Sequence, residues 1–269
     1  MMLKIQVDLN LLRLTLRIPA AKIFSWWLQP QVFLLAGEAT SFRNDTDREI
    51  AFRQESNFYY LTGCTIPSSY VLAAYQPGTS LSHTPSIELF IPKAELADVM
   101  WSVPPPSIEV AQEMHDVTRV DHPAALPAAI ETLTKAFPEA LFHTLPRSSP
   151  LFPILPDEYT ELVLSSGNAT VTDLYLLSAL HRARLTKDEE EIAAIKWANE
   201  ISSRAHEVIM RVLGKAVQGR IEKDSGTAVR PLLPGEWLIE KEAEAEAIFV
   251  ASCRREGSVR LFMTMLSPC

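Results

Sequence analysis

Ten of the nineteen prolines of this 269-residue chain fall between Pro104 and Pro156, and that placement limits what this half can build. Each proline fixes φ near −65° and removes a backbone donor, so long helices and central strands are excluded there. The segment reads as short helices alternating with short strands. A helical stretch is expected from Ala124 to Phe137 and a strand over Leu141 to Leu145, with Pro146 to Pro156 irregular because it holds four prolines.

Ahead of this segment the apolar runs are strand-length. Val32 to Gly37 reads as a buried strand closed by a glycine, and Ile87 to Pro92 as another, with Pro77-Gly78 marking the turn before it. Asn57 to Gly63 is rich in aromatics and reads as a strand, pairing as a hairpin with Tyr70 to Tyr75 across a Pro67-Ser68-Ser69 turn. Phe58 and Tyr60 would then fill the core while Tyr59 packs under a helix. Ala94 to Met100 reads as helical. The pattern is mixed α/β.

Only the region after Pro156 has room for a long helix. Thr186-Lys187-Asp188-Glu189 has the spacing of a capping box, and Ile192, Ile195, Ala198, Ile201, Ala205, Val208, Ile209 and Val212 form one apolar face up to a stop at Gly214. A second helix is expected from Trp237 to Arg255, with Ile239, Ala243, Ala247 and Val250 on one face and Gly257 at its end. Lys215 to Gly235 shows no periodicity.

Charge narrows the partners. A net charge of −8 and scattered basic residues argue against nucleic-acid or anionic-membrane surfaces, which need clustered Lys and Arg. Cys64, Cys253 and Cys269 are odd in number and far apart, so neither a disulfide framework nor a cysteine zinc site is expected, and a reducing, cytoplasmic setting is. In the first thirty residues Leu9 to Ile18 is apolar, Lys4, Arg13, Arg17 and Lys22 are basic, and Asp8 is the only acid. That composition suits the amphipathic first helix of a soluble domain or a mitochondrial transit peptide. The basic residues interrupt it too often for a membrane span.

The run Arg48-Glu49-Ile50-Ala51-Phe52-Arg53-Gln54-Glu55-Ser56-Asn57-Phe58-Tyr59-Tyr60-Leu61-Thr62-Gly63-Cys64 closely resembles the creatinase/prolidase N-terminal domain of Xaa-Pro aminopeptidases and dipeptidases. Arg184 to Ile192, continuing through Asn199 to His206, is similar to the first helix of that family's catalytic domain, and Pro234 to Gly257 to the next. The resemblance implies an α/β fold: a ribonuclease-H-like mixed sheet with flanking helices, then the helical beginning of a "pita-bread" domain that is incomplete here. It implies a divergent segment over 1–30, the N-terminal domain over 31–165, a partial catalytic domain over 166–258 and a divergent tail over 259–269. Family members hold two manganese ions with two Asp, one His and two Glu, and a metal-bridging hydroxide attacks peptides with proline in second position. Those ligands lie on strands beyond the helix ending at Gly257. No metal, cofactor or catalytic residue of the family can be carried onto this sequence, and a truncated, inactive chain that binds no manganese is the expectation, with possible homodimers.

Few other residues offer a site. His115-Asp116, Asp121-His122 and His206-Glu207 pair histidine with acid, but adjacent side chains diverge and seldom hold one ion. Asp188 to Glu191 suits the positive end of a helix dipole without any metal. Arg53-Gln54 beside Phe58-Tyr59-Tyr60 could touch a substrate. The plainer reading has the aromatics in the core and Arg53 bonded to loop carbonyls or to Asp47. No H-E-x-x-H, G-x-S-x-G or P-loop pattern occurs. Two classes remain: a catalytically empty chain of the peptidase family, and a binding or regulatory module using the N-terminal domain alone.

Overall fold

The computed structural model describes residues 29–75, 86–95, 98–100, 103–217, 239 and 241–258. The chain divides into two compact units, one through Lys187 and one from Asp188. In the first, six strands form one mixed sheet: β1 (Gln31–Ala36), β2 (Tyr70–Tyr75), β3 (Ser86–Phe90), β4 (Arg119–Asp121), β5 (Leu141–His143) and β6 (Thr170–Thr172), in spatial order β4-β3-β2-β1-β5-β6. β2 runs antiparallel to both β1 and β3, while β4, β5 and β6 lie parallel to β3, β1 and β5 respectively.

Helices cover both faces, which is why β1 is apolar at successive positions rather than alternate ones. On one face Phe33, Leu35, Val71, Ala73 and Leu89 meet α1 (Ser56–Thr62), α2 (Ile108–Met114) and α5 (Leu176–Ala183) through Phe58, Ala111, Leu176 and Leu180. On the other, Val32, Leu34, Leu72, Phe90 and Phe142 meet α3 (Leu126–Ala136) and α4 (Asp157–Ser165) through Ile130, Tyr159 and Val163. The structure is mixed α/β, as the sequence indicates. β6 and α5, both after residue 165, are built into this unit.

The aromatic run corrects the sequence reading. Asn57 to Gly63 forms no strand, and the hairpin with Tyr70 to Tyr75 does not exist; the run is helix α1, and β2 pairs with β1 and β3 instead. Local capping overrides the β preference of the aromatics. The Glu55 carboxylate accepts the Phe58 N–H at 2.7 Å and the Asn57 side-chain amide at 2.9 Å. Gly63 closes the helix at φ 63°, its N–H bonding the Tyr59 carbonyl, a left-handed conformation suited to glycine. Helical spacing buries Phe58, Leu61 and Thr62 and leaves Tyr59 43% exposed, so Tyr59 lies under nothing.

Other boundaries move as well. Of the helix expected over Ala94 to Met100, residues 96–97 lie outside the described residues, as does the Pro77-Gly78 turn, and Asp98–Met100 forms a single 3-10 turn. The second unit holds α6 (Glu189–Val217) and α7 (Glu242–Arg255). Asp188, not Thr186, caps α6: its carboxylate accepts the Glu191 N–H at 2.7 Å while the Glu191 carboxylate accepts the Asp188 N–H at 3.4 Å. Gly214 does not stop this helix, which continues to Val217. α7 begins at Glu242; Ile239 is outside any element, and Trp237 lies outside the described residues. Its C-terminus is closed by a Schellman pair, Gly257 N–H to Arg254 and Ser258 N–H to Cys253. Its covered face is Ile248, Phe249 and Cys253 rather than Ala243 and Ala247, which are exposed, because the partner stripe on α6 is confined to Ile201, Ala205 and Ile209.

His143 gives the sheet a pH dependence. It is buried between Phe33 and Tyr175, its Nε2–H donating to the Gln31 side-chain oxygen at 2.7 Å while Nδ1 meets no partner among the described residues. Burial lowers its pKa from 6.5 to about 4. Protons then bind the unfolded chain more readily, so this stabilisation is complete above pH 6.5 and is lost as pH falls from there toward 4. Denaturant titration should show about 2 kcal/mol less stability at pH 5 than at pH 7 from this residue, a difference absent in His143→Gln. A second expectation concerns α6, whose Ile192 and Ile195 are exposed. Its amides should exchange hydrogen at least about tenfold faster than those of β1 and β2; equal protection would refute the marginal support assigned to this helix.

Candidate functional site

The stretch from Arg48 to Cys64 carries the most distinctive residues of the chain, and its organising side chain is Gln54. Gln54 is buried, and its oxygen accepts the N–H groups of Glu38 at 2.6 Å and Glu55 at 3.0 Å. Its nitrogen donates to the Ile66 carbonyl at 3.1 Å. One amide thus ties the end of β1, the start of α1 and the loop entering β2. Backbone bonds from Gly37 to Ser69 and from Ser68 to Glu38 complete the closure. Gly37 has to be glycine here, because a Cβ would lie 3.0 Å from the Gln54 side-chain oxygen and 3.1 Å from the Ser69 carbonyl.

Cys64 belongs to the same knot. It is fully buried, 3.9 Å from the Ser69 hydroxyl, and burial raises its pKa, so its thiol stays protonated and unreactive. Asn57 accepts a hydrogen bond from the Arg184 guanidinium at 3.1 Å, and that guanidinium also lies over the Tyr60 ring at 5.7 Å. The two family-like stretches of the first unit therefore meet in space. Arg53 is exposed. The aromatics serve packing, with Phe58 in the core and Tyr60 packed against it.

Each histidine–acid neighbour pair is engaged in local structure. His115 donates through Nδ1 to the Thr62 carbonyl at 3.2 Å, joining α2 to α1, and burial lowers its pKa. The Asp121 carboxylate accepts the His122 N–H and pairs with Arg119, while His122 Nδ1 donates to the Ile91 carbonyl at 3.0 Å. His206 Nδ1 bonds the Ser202 carbonyl at 2.7 Å with its ring edge-on to Phe249, and Glu207 pairs with Arg211. Asp188 and Glu191 form the cap of α6. Among the described residues no three His, Cys, Asp or Glu side chains converge on a point that could hold a metal ion. A pair of manganese ions needs several hard donors around one cavity, and these residues do not fit it.

Comparison with known proteins places this architecture. Residues 19–142 match the family model described as "Aminopeptidase P, N-terminal domain". Relatives include a probable Xaa-Pro aminopeptidase from Podospora anserina, 30% identical over 227 residues that cover 84% of this chain and 41% of the relative. The chain belongs to the Xaa-Pro aminopeptidase family. A probable Xaa-Pro aminopeptidase from Pyricularia oryzae is 34% identical over 180 residues, covering 67% of this chain and 35% of that protein. The chain thus spans about two fifths of the length of such curated relatives. Aminopeptidase P from Escherichia coli in its low-pH form superposes with a TM-score of 0.63 at 18% identity, covering 96% of this chain and 51% of that one. Proline aminopeptidase P II from Yersinia pestis gives 0.60 at 20% identity, covering 95% and 51%. These likenesses establish the fold: the family's N-terminal domain followed by the start of its catalytic domain.

Sequence reasoning singled out Arg53 and the aromatics but missed what Gln54 and Arg184 do, since neither a long-range amide bond nor an Arg–Asn pair leaves a periodic trace. Gln54→Ala removes three hydrogen bonds and should destabilise the first unit by about 2–3 kcal/mol. Gln54→Glu, which keeps an acceptor but cannot donate to Ile66 when ionised, should lie between. The measurement is the denaturation midpoint, and a change within error for both variants would remove Gln54 from its place at the knot.

Proposed function

We propose that this chain supplies the N-terminal domain and opening helices of an Xaa-Pro peptidase and does not itself hydrolyse Xaa-Pro bonds. The reading rests on one observation: the histidines and carboxylates that could be recruited are spent on caps, turns and ion pairs, and no three of them converge among the described residues. The resemblance implies hydrolysis by a metal-bridging hydroxide, which requires cations to lower the pKa of water from ~16 to about 7. Side chains committed as these are supply no such setting. Peptides with proline in second position are the substrate class of the longer relatives' name, and manganese the metal the resemblance implies; neither is expected to be bound or turned over here. Cys64 and Cys253, both free and buried, suit a reducing, cytoplasmic setting.

A second reading is a binding or regulatory module. The first unit carries a complete two-sided core of its own, which would let it act without a catalytic half. Purified chain with excess manganese and a short Xaa-Pro peptide should give background hydrolysis, with or without a chelator. Chelator-sensitive turnover that copurifies with the chain through two columns would overturn the main reading. Capture of a full-length relative or a peptide by an inactive chain would favour the second.

A further inference from the structure

The two helices of the second unit differ in length, and the mismatch leaves apolar surface uncovered. α6 has 29 residues and α7 has 14, so at 1.5 Å per residue about 43 Å of helix faces about 21 Å. The small core between them uses Ile201, Ala205 and Ile209. A separate stripe is built from Ile192, Ile195, Met210 and Leu213, which are 40%, 46%, 63% and 38% exposed. At 100° per residue these four fall within about 60° of arc, turned away from Ile201 and Ala205.

The stripe is symmetric along the helix. Ile192 and Leu213 are equidistant from a centre between Ser202 and Ser203, and so are Ile195 and Met210. The centre carries small hydroxyl side chains, which allow close approach. Charge is arranged in the opposite sense at the two ends: Asp188, Glu189, Glu190 and Glu191 open the helix, whereas Arg204 and Arg211 lie in its second half. A second α6 laid antiparallel therefore brings acidic end to basic end, and opposed helix dipoles add to this.

From this we infer that the uncovered stripe of α6 docks on the same stripe of a second copy, forming an antiparallel two-fold homodimer centred on Ser202 and Ser203. The contact is isologous: Ile192 and Ile195 interlock with Met210 and Leu213 of the second copy, and the reverse. Asn199 of one helix lies opposite His206 of the other, a polar pair that fixes register between the two apolar ends. With α7 attached to each α6, the assembly is a four-helix bundle.

The experiment uses the full chain carrying Cys269→Ser. Light scattering from about 1 μM to about 1 mM, the span of weak to moderate association, should show a monomer–dimer equilibrium. Met210→Glu, at a solvent-facing position, should raise its Kd at least about tenfold with unchanged circular dichroism. Ser202→Cys should oxidise to a covalent dimer at the two-fold centre, while Ala193→Cys, on another side of α6, should not. A monomer throughout the range, a dimer indifferent to Met210→Glu, or equal cross-linking of both cysteine variants would overturn the proposal.

Discussion

The first unit depends on the three hydrogen bonds of the Gln54 side chain, which hold together segments that adjacent strands cannot join by themselves. β1 and β2 are neighbours and antiparallel, yet 33 residues separate Ala36 from Tyr70. That excursion includes an exposed arm with a bridge between Phe42 and Glu49, then α1. A loop this long costs closure entropy and leaves backbone groups in need of partners. Gln54 satisfies two amides and one carbonyl at the place where the excursion returns, and Gly37 gives it room. With both ends held, β1 occupies the interior of the sheet with helices on each face.

That arrangement explains why the most distinctive stretch of the chain is architectural. A glutamine bonded to backbone at both ends of its amide, a carboxylate spent on a helix cap and aromatics turned into the core are poor at meeting a substrate. The same residues set the Arg184 contact to Asn57 and Tyr60, which anchors the last turn of the first unit to α1. In the second unit the physical situation is reversed. Two helices share a core of four buried residues, and a large part of the apolar surface of α6 has no cover from α7.

Legibility followed the range of the forces involved. β1, β2, β3, α3 and β5 were readable because each is a short apolar run bounded by proline or glycine, and burial on the sheet agrees with that local signal. α1 was misread because its aromatics favour strands, whereas the deciding interactions were the Glu55 cap and the left-handed Gly63. The cap of α6 moved from Thr186 to Asp188 for a similar reason: two overlapping patterns fit the sequence, and only backbone geometry chooses between them. The dispersed histidines were correctly weighed as local partners, but which carbonyl each would find depended on strands and helices far away in the chain.

What the sequence by itself determined was the class of fold, the family and the type of most elements, because these follow from periodicity, proline placement and a long motif. Tertiary structure alone decided the strand order, since the pairing of β1 with β2, 33 residues later, and with β5 more than a hundred residues later depends on non-local closure. It also decided that Gln54 and Arg184 are the joints and that His143 is neutral and buried. A side chain's hydrogen-bond partner and desolvation are properties of the assembled neighbourhood, and no local pattern encodes them.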